Sequence, residues 1–227
     1  KAVYASTVNH ADPLAALAVG EQPEPQARPF WSTVSVRAVT VNHHDVWSLQ
    51  GVGLAAEQTP MILGTDAVGI LDEDIPGKHG LKAGSEVVLY TFVGTDGAGV
   101  APGERRTILS EKYPGTMAEK TSVPSANVFA KPASLTTAEA AALGTSWLTA
   151  YSLLFDAAGI KPGDSVLIQG AGGGVSTAAI QLAHAAGLEV FVTSRDADKR
   201  SKALKLGANA ALEIGARLPR KVDAVIE

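Results

Sequence analysis

The chain contains no cysteine. That absence excludes disulfides, thiolate metal ligands and any zinc lobe built on cysteine. Long apolar runs are missing too: nothing approaches the roughly 18 residues of a membrane span. The opening KAVYASTVNHADPL has no basic region followed by an apolar core, so no signal peptide is expected. There is no basic cluster; a formal charge of −4 and a pI near 5.8 argue against nucleic acid as the main partner. No internal repeat or low-complexity tract stands out, and no Ser/His/Asp constellation points to a hydrolase. What remains is an ordinary globular composition over 227 residues, 46% hydrophobic and 19% charged. It suits one large or two modest domains, with the cytoplasm as the expected location.

The most informative stretch is SVLIQGAGGGVSTAAIQLAHAAGLEVFVTSR, from Ser165 to Arg195. Val166, Leu167 and Ile168 form a short β-rich run, as a buried parallel strand would. Gly172, Gly173 and Gly174 permit a sharp turn and close approach of a ligand to the backbone. Ser176 to Ala186 reads as a helix with one apolar face, stopped by Gly187, and Glu189 to Ser194 as a second strand. A glycine turn feeding a helix N-terminus aims free N–H groups and a positive dipole end at one point, which holds a pyrophosphate. In the dinucleotide frame the turn runs Ala171, x, Gly173, x, x, Ser176, with alanine and serine at the first and third glycine positions.

Residues 1–128 read as β-rich, with strands expected at Ala2–Ser6, Thr33–Val41, Gly69–Leu71 and Glu86–Tyr90. The glycine-rich segment 94–104 is expected to be a mobile surface loop. From Lys131 the pattern turns helical. Thr136 and Glu139 have capping-box spacing, and a second helix is expected from Ser146 to Ala158. Lys161–Asp164 is a turn. A helix is then expected from Ala197 to Leu206, with strands at Ala210–Ile214 and Asp223–Glu227. The last of these is the fourth strand of a nucleotide domain, so the expectation is a domain truncated after that strand.

These residues together resemble the medium-chain dehydrogenase/reductases, specifically the zinc-independent, quinone-oxidoreductase-like branch. The resemblance rests on VTVNHHDVWSLQG (39–51), PMILGTDAVGIL (60–71), GTMAEKTSVP (115–124), LTTAEAAALGTSWLTAYSLL (135–154) and KPGDSVLIQGAGGGVSTAAIQLA (161–183), in family order. It implies an α/β fold with a β-rich domain: a GroES-like β-barrel over 1–128, then a Rossmann doubly wound parallel sheet over 129–227, with a cleft between them. It implies hydride transfer from a reduced nicotinamide to a small electrophile such as a quinone or activated enone, and a homodimer when full length. A zinc-type alcohol dehydrogenase and a non-catalytic NADPH-binding protein are the alternatives.

At the places where zinc-dependent members carry Cys, His and Cys, this chain has Asn42, Thr65 and Thr145. An amide and two hydroxyls are poor Zn²⁺ ligands. Asp66 offers one carboxylate, with His43, His44 and His79 nearby in sequence, but no three-ligand set has recognisable spacing, so no metal is expected. The resemblance implies that Asn42 reaches the nicotinamide ribose, where its alternative role is to cap the following helix. It sets His43 near the pyrophosphate and His44 at a proton-relay position. It also places Thr149 at the nicotinamide end. Asp45 reads as structural, and Trp47, Tyr90 and Trp147 as second-rank candidates for a wall against a flat substrate.

Gly172, Gly173, Gly174 and Val175 are the expected pyrophosphate turn. The second strand ends in neutral Ser194, where NAD-specific domains carry an acid, and Arg195 and Lys199 follow. That favours NADPH, through a hydroxyl and cations offered to the 2′-phosphate. Asp196 and Asp198 argue the other way unless Asp196 caps the next helix.

Overall fold

In a computed structural model of the chain, residues 1–77, 80–94 and 106–227 are described. His79, and the expected loop from 95 onward, lie outside them. The chain divides into two compact units, Lys1–Thr145 and Ser146–Glu227.

The first unit is built from antiparallel strands. They are β1 (Ala2–Ala5), β2 (Leu17–Gly20), β3 (Trp31–Ala38), β4 (Met61–Ile62), β5 (Val68–Leu71), β6 (Glu86–Leu89), β7 (Phe92–Val93), β8 (Thr107–Ile108), β9 (Lys120–Pro124) and β10 (Val128–Ala130). Five form a sheet in the order β10-β6-β5-β3-β9, three a sheet β2-β1-β4, and β7 pairs with β8. Strand β3 starts with an alternation: Ser32 and Val34 are buried while Thr33 and Ser35 are partly open. It ends at Ala38 rather than Val41, just past an irregularity in its register with β5 between Val36 and Ala38. Val34, Leu71, Val87, Leu89, Val123 and Val128 fill the core on this sheet. Each is worth about 1.5–3 kcal/mol relative to exposure.

Helix α1 (His43–Leu49) follows β3, and α2 (Thr137–Ala141) follows β10. The capping box of α2 forms as its spacing predicts: Thr136 Oγ1 accepts from Glu139 N–H at 3.3 Å, and the Glu139 carboxylate accepts from Thr136 N–H at 2.9 Å. Ala140 and Ala141 pack on Val68 of β5. This packing keeps α2 in the first unit, so the expected boundary at 128/129 falls inside that unit, at β10.

The second unit carries α3 (Leu148–Tyr151), β11 (Ser165–Gln169), α4 (Gly174–Ala185), β12 (Glu189–Thr193), α5 (Ala197–Lys205), β13 (Ala210–Leu212) and β14 (Ala224–Ile226). The strands form a parallel sheet, β13-β12-β11-β14. Ala178, Ala179, Ile180 and Ala183 of α4 join Val166, Ile168, Val190 and Val192 in one core. The expected helix from Ser146 to Ala158 is wound unevenly. Only α3 is α-helical; Leu143–Trp147 and Ser152–Ala157 are π turns, which widen the helix and redirect its side chains.

Candidate active and nucleotide sites

In the first unit four side chains close a hydrogen-bonded ring. The Asn42 amide donates to Asp66 Oδ2 at 2.8 Å and to Thr65 Oγ1 at 3.1 Å. The Thr65 and Thr145 hydroxyls lie 3.0 Å apart, and Thr145 donates to Asp66 Oδ1 at 2.6 Å. Thr40 gives Asp66 Oδ2 a further donor. An ionised carboxylate only accepts, so the proton order follows. The single hydroxyl hydrogen of Thr145 goes to Asp66. Thr65 must therefore donate to Thr145, and its oxygen is left to accept from Asn42. Asp66 and Thr65 are fully buried. Burial pushes the Asp66 carboxyl above the usual carboxylate range, opposed by the hydrogen bonds from Thr145, Thr40 and Asn42.

Asn42, Thr65 and Thr145, at the three zinc-ligand places, are thus brought together. Their donors are already spent on one another and on Asp66, the only carboxylate among them. Hydroxyls and an amide do not make a zinc site, so this donor set does not fit the metal. Among the described residues no group of three His, Asp or Glu is placed to hold an ion. The sequence offered Asp66 only as a stray ligand and did not single out Thr40; nothing in their spacing marks them as partners.

Asn42 is also the N-cap residue of α1. Asp45, nearly buried, accepts from Asn42 N–H at 2.8 Å and Gly64 N–H at 3.0 Å, tying the start of α1 to the turn after β4. This is the structural role expected of it. Burial raises its carboxyl, against those two backbone hydrogen bonds. His43 is exposed at the first position of α1, edge-on to Trp47 at 5.0 Å, and Trp47 itself is half open. Tyr90 leans on Phe92 at 5.8 Å.

His44 is less open, with 15% of its side chain exposed. Its Nε2 lies 3.2 Å from Glu111 Oε1, and its Nδ1 lies 3.4 Å from Ser110 Oγ. A Ser–His–Glu chain of contacts therefore exists where the sequence showed none. Ser110 is fully buried, so its hydroxyl has no access to an acyl group, and the chain is not a hydrolase site. Neither Ser110 nor Glu111 carried a sequence signal, because both reach His44 across more than sixty residues.

In the second unit the glycine turn forms between β11 and α4. Gly172 has φ +102°, a left-handed conformation that favours glycine. A Cβ there would stand 2.8 Å from Lys199 Cδ, and one on Gly174 would stand 2.6 Å from Ser146 Oγ. Ser176, at the third glycine position, fastens the turn. Its Oγ accepts from Gly173 N–H at 3.1 Å and lies 2.9 Å from Gly170 O and 3.1 Å from Gly173 O, the carbonyls to which its hydroxyl donates. Gly172, Gly173 and Gly174 are exposed, while Val175 packs on the core. No acidic residue sits in the first turn of α4, so its N–H groups and dipole face an anion unopposed. This cradle fits a pyrophosphate.

Ser194 is buried, and its Oγ accepts from Asp196 N–H at 3.2 Å. Asp196 caps α5, accepting from the N–H groups of Asp198 at 2.8 Å and Lys199 at 3.1 Å. Its acid is thus spent on the helix. Those backbone hydrogen bonds, that of Lys199 foremost, hold its carboxyl below the usual range. Arg200 is committed as well, to Ser194 O at 2.7 Å and Glu213 at 3.0 Å. Arg195 and Lys199 are exposed. Lys199, Lys202 and Gly172 line a cavity of about 270 Å³ between α4 and α5. Thr149 and Trp147 are half-buried in the second unit, Trp147 against its core.

Comparison with known proteins agrees with both halves of the chain. Residues 28–133 match the alcohol dehydrogenase GroES-like domain. The crotonyl-CoA reductase of Streptomyces avermitilis is 30% identical, over 89% of this chain and 51% of its own length. A solved NAD-dependent alcohol dehydrogenase is 35% identical with a TM-score of 0.82, covering 95% of this chain and 64% of that one. The quinone oxidoreductase of Thermus thermophilus, solved also as its complex with NADPH, is 29% identical with a TM-score of 0.68, covering 94% and 59%. The chain spans about a third to a half of the length of the first curated relatives it matches. With a GroES-like domain followed by a Rossmann-type parallel sheet, the chain has the fold of the medium-chain dehydrogenase/reductases and is similar to members of that superfamily.

Proposed function

We propose that this protein is an NADPH-dependent oxidoreductase of the quinone-oxidoreductase-like branch, reducing a quinone or an activated enone without zinc. The observation that carries the reading is the closed ring of Asn42, Thr65, Thr145 and Asp66 at the metal-ligand places. Relatives named quinone oxidoreductase and crotonyl-CoA reductase support the acceptor class.

The nicotinamide, when bound, supplies the hydride. The rest falls to the chain. The turn of Gly172, Gly173, Gly174 and Val175, with the N-terminus of α4, holds the pyrophosphate. Arg195 and Lys199 hold the 2′-phosphate beside the neutral Ser194. The ring holds the Asn42 side chain, read as reaching the nicotinamide ribose, with its amide nitrogen on Asp66 and Thr65. His43 and Thr149 are further candidates for cofactor contact. Reduction of a carbonyl or quinone builds charge on an oxygen, and His44 gives the proton that neutralises it.

The test is oxidation of NADPH by purified protein with a quinone series and an enone series, with and without a chelator. Turnover that survives the chelator supports the reading. Activity only with added zinc, or none with any acceptor despite NADPH binding, overturns it.

A further inference from the structure

Both ring nitrogens of His44 are engaged, Nε2 with Glu111 and Nδ1 with Ser110. Glu111 is itself held on three sides. Thr107 Oγ1 donates to its Oε2 at 3.2 Å, and Gln58 donates to its backbone carbonyl at 2.9 Å. Gly53 packs so closely that a Cβ there would stand 2.5 Å from Oε1. Ser110 has φ +68°, a conformation that a non-glycine residue seldom adopts. Its N–H donates to Tyr113 O at 2.9 Å, closing the tight turn that carries Glu111. Strain of this kind persists where the surroundings over-determine it. Here it sets two neighbouring side chains against the two nitrogens of one imidazole.

A carboxylate only accepts hydrogen bonds, and a neutral imidazole has one N–H. With Glu111 at Nε2, the proton must sit on Nε2, and Nδ1 must accept from the Ser110 hydroxyl. We propose that Glu111 is the positioning residue of His44, fixing the ring as its Nε2–H tautomer. On the reading of His44 as proton donor, Glu111 sets the orientation and tautomer of the ring that this step uses, and keeps its own charge.

Long-range ¹H–¹⁵N correlation spectra of labelled protein read the tautomer directly, with the His44 signals assigned by their loss in His44→Gln. The expected result is a protonated Nε2 and a bare Nδ1 in the neutral ring. Glu111→Ala and Glu111→Gln should mix the two tautomers, and Glu111→Asp, which still only accepts, should restore the preference. A resting proton on Nδ1 overturns the assignment. So does an unchanged tautomer ratio in Glu111→Gln with a native-like spectrum, a check that holds even should Glu111→Ala fail to fold. Where turnover is measured, Glu111→Gln should lower kcat on the order of tenfold or more, with KM for NADPH changed less than about twofold. If the tautomer results hold but no form reduces any acceptor, the proposed function fails and the assignment of Glu111 stands.

Discussion

Replacing Asp66 separates two effects that act in opposite directions. The carboxylate accepts from Thr40, Asn42 and Thr145, yet burial holds its carboxyl above the usual range. An acid whose folded-state pKa is raised adds stability below its unfolded pKa, near 3.9, and loses it as pH climbs through the folded value. Each unit of such a shift corresponds to about 1.36 kcal/mol. Asp66→Asn mimics the protonated acid: its NH₂ donates to Thr145, Thr145 turns to Thr65, and one Thr65 hydrogen loses its acceptor in both. The variant should therefore match the unmodified protein near pH 4 and become the more stable of the two as pH rises toward 8. Asp66→Ala is different, because it takes the acceptor from three part-buried donors, Thr40, Asn42 and Thr145, of which Thr145 can turn to Thr65 and Asn42 keeps Thr65. At about 1–3 kcal/mol for a group left unsatisfied, it should cost on the order of 1–3 kcal/mol at any pH. Urea unfolding of the three proteins from pH 4 to 8 measures this. If Asp66→Asn is destabilised at pH 8 and the gap closes on acidification, the carboxyl is held down rather than up and the reasoning fails.

Elemental analysis of dialysed protein should find no stoichiometric zinc, and chelators should leave its melting temperature unchanged. Gly172→Ala must adopt φ +102° and push the Lys199 stem aside, so it should lose about 1–2 kcal/mol in thermal or urea unfolding and bind NADPH more weakly. NADPH should bind more tightly than NADH in titration calorimetry. Arg195→Ala and Lys199→Ala should each weaken NADPH about tenfold or more while leaving NADH nearly unchanged, since each charge-assisted hydrogen bond is worth roughly 1.5–3 kcal/mol. Tighter binding of NADH by the unmodified protein would refute the assignment of the 2′-phosphate site.

The parallel half of the fold was legible because its signals are local. The β-run at 166–168, the glycine turn and the apolar face of α4 all lie within one strand–turn–helix unit, and the capping box of α2 spans four residues. The end of β3 was not legible, since its pairing partners on β5 lie some thirty residues away. The chemistry of the first unit divides the same way. Asn42, Thr65 and Thr145 were visible only because family spacing marks those places. Thr40, Ser110 and Glu111 earned no notice, because a hydroxyl or a carboxylate acquires its role only when folding supplies its partner.

On the same reading, building a zinc site onto this ring would take more than one substitution. A cysteine at position 42 would add one thiolate, but it would strip Asp66 Oδ2 and Thr65 of their amide donor. Thr65 and Thr145 would still contribute hydroxyls, which stay protonated near neutrality and compete poorly for a divalent ion. Asp66 could turn to the metal only by leaving Thr40 and Thr145 unpaired in a buried site, at about 1–3 kcal/mol each. The hydrogen-bonded arrangement and the metal-bound one are thus mutually exclusive sets of partners for the same side chains. Each is stable only when nearly all its members change together, so the residues at positions 42, 65 and 145 carry meaning as a set and little when taken singly.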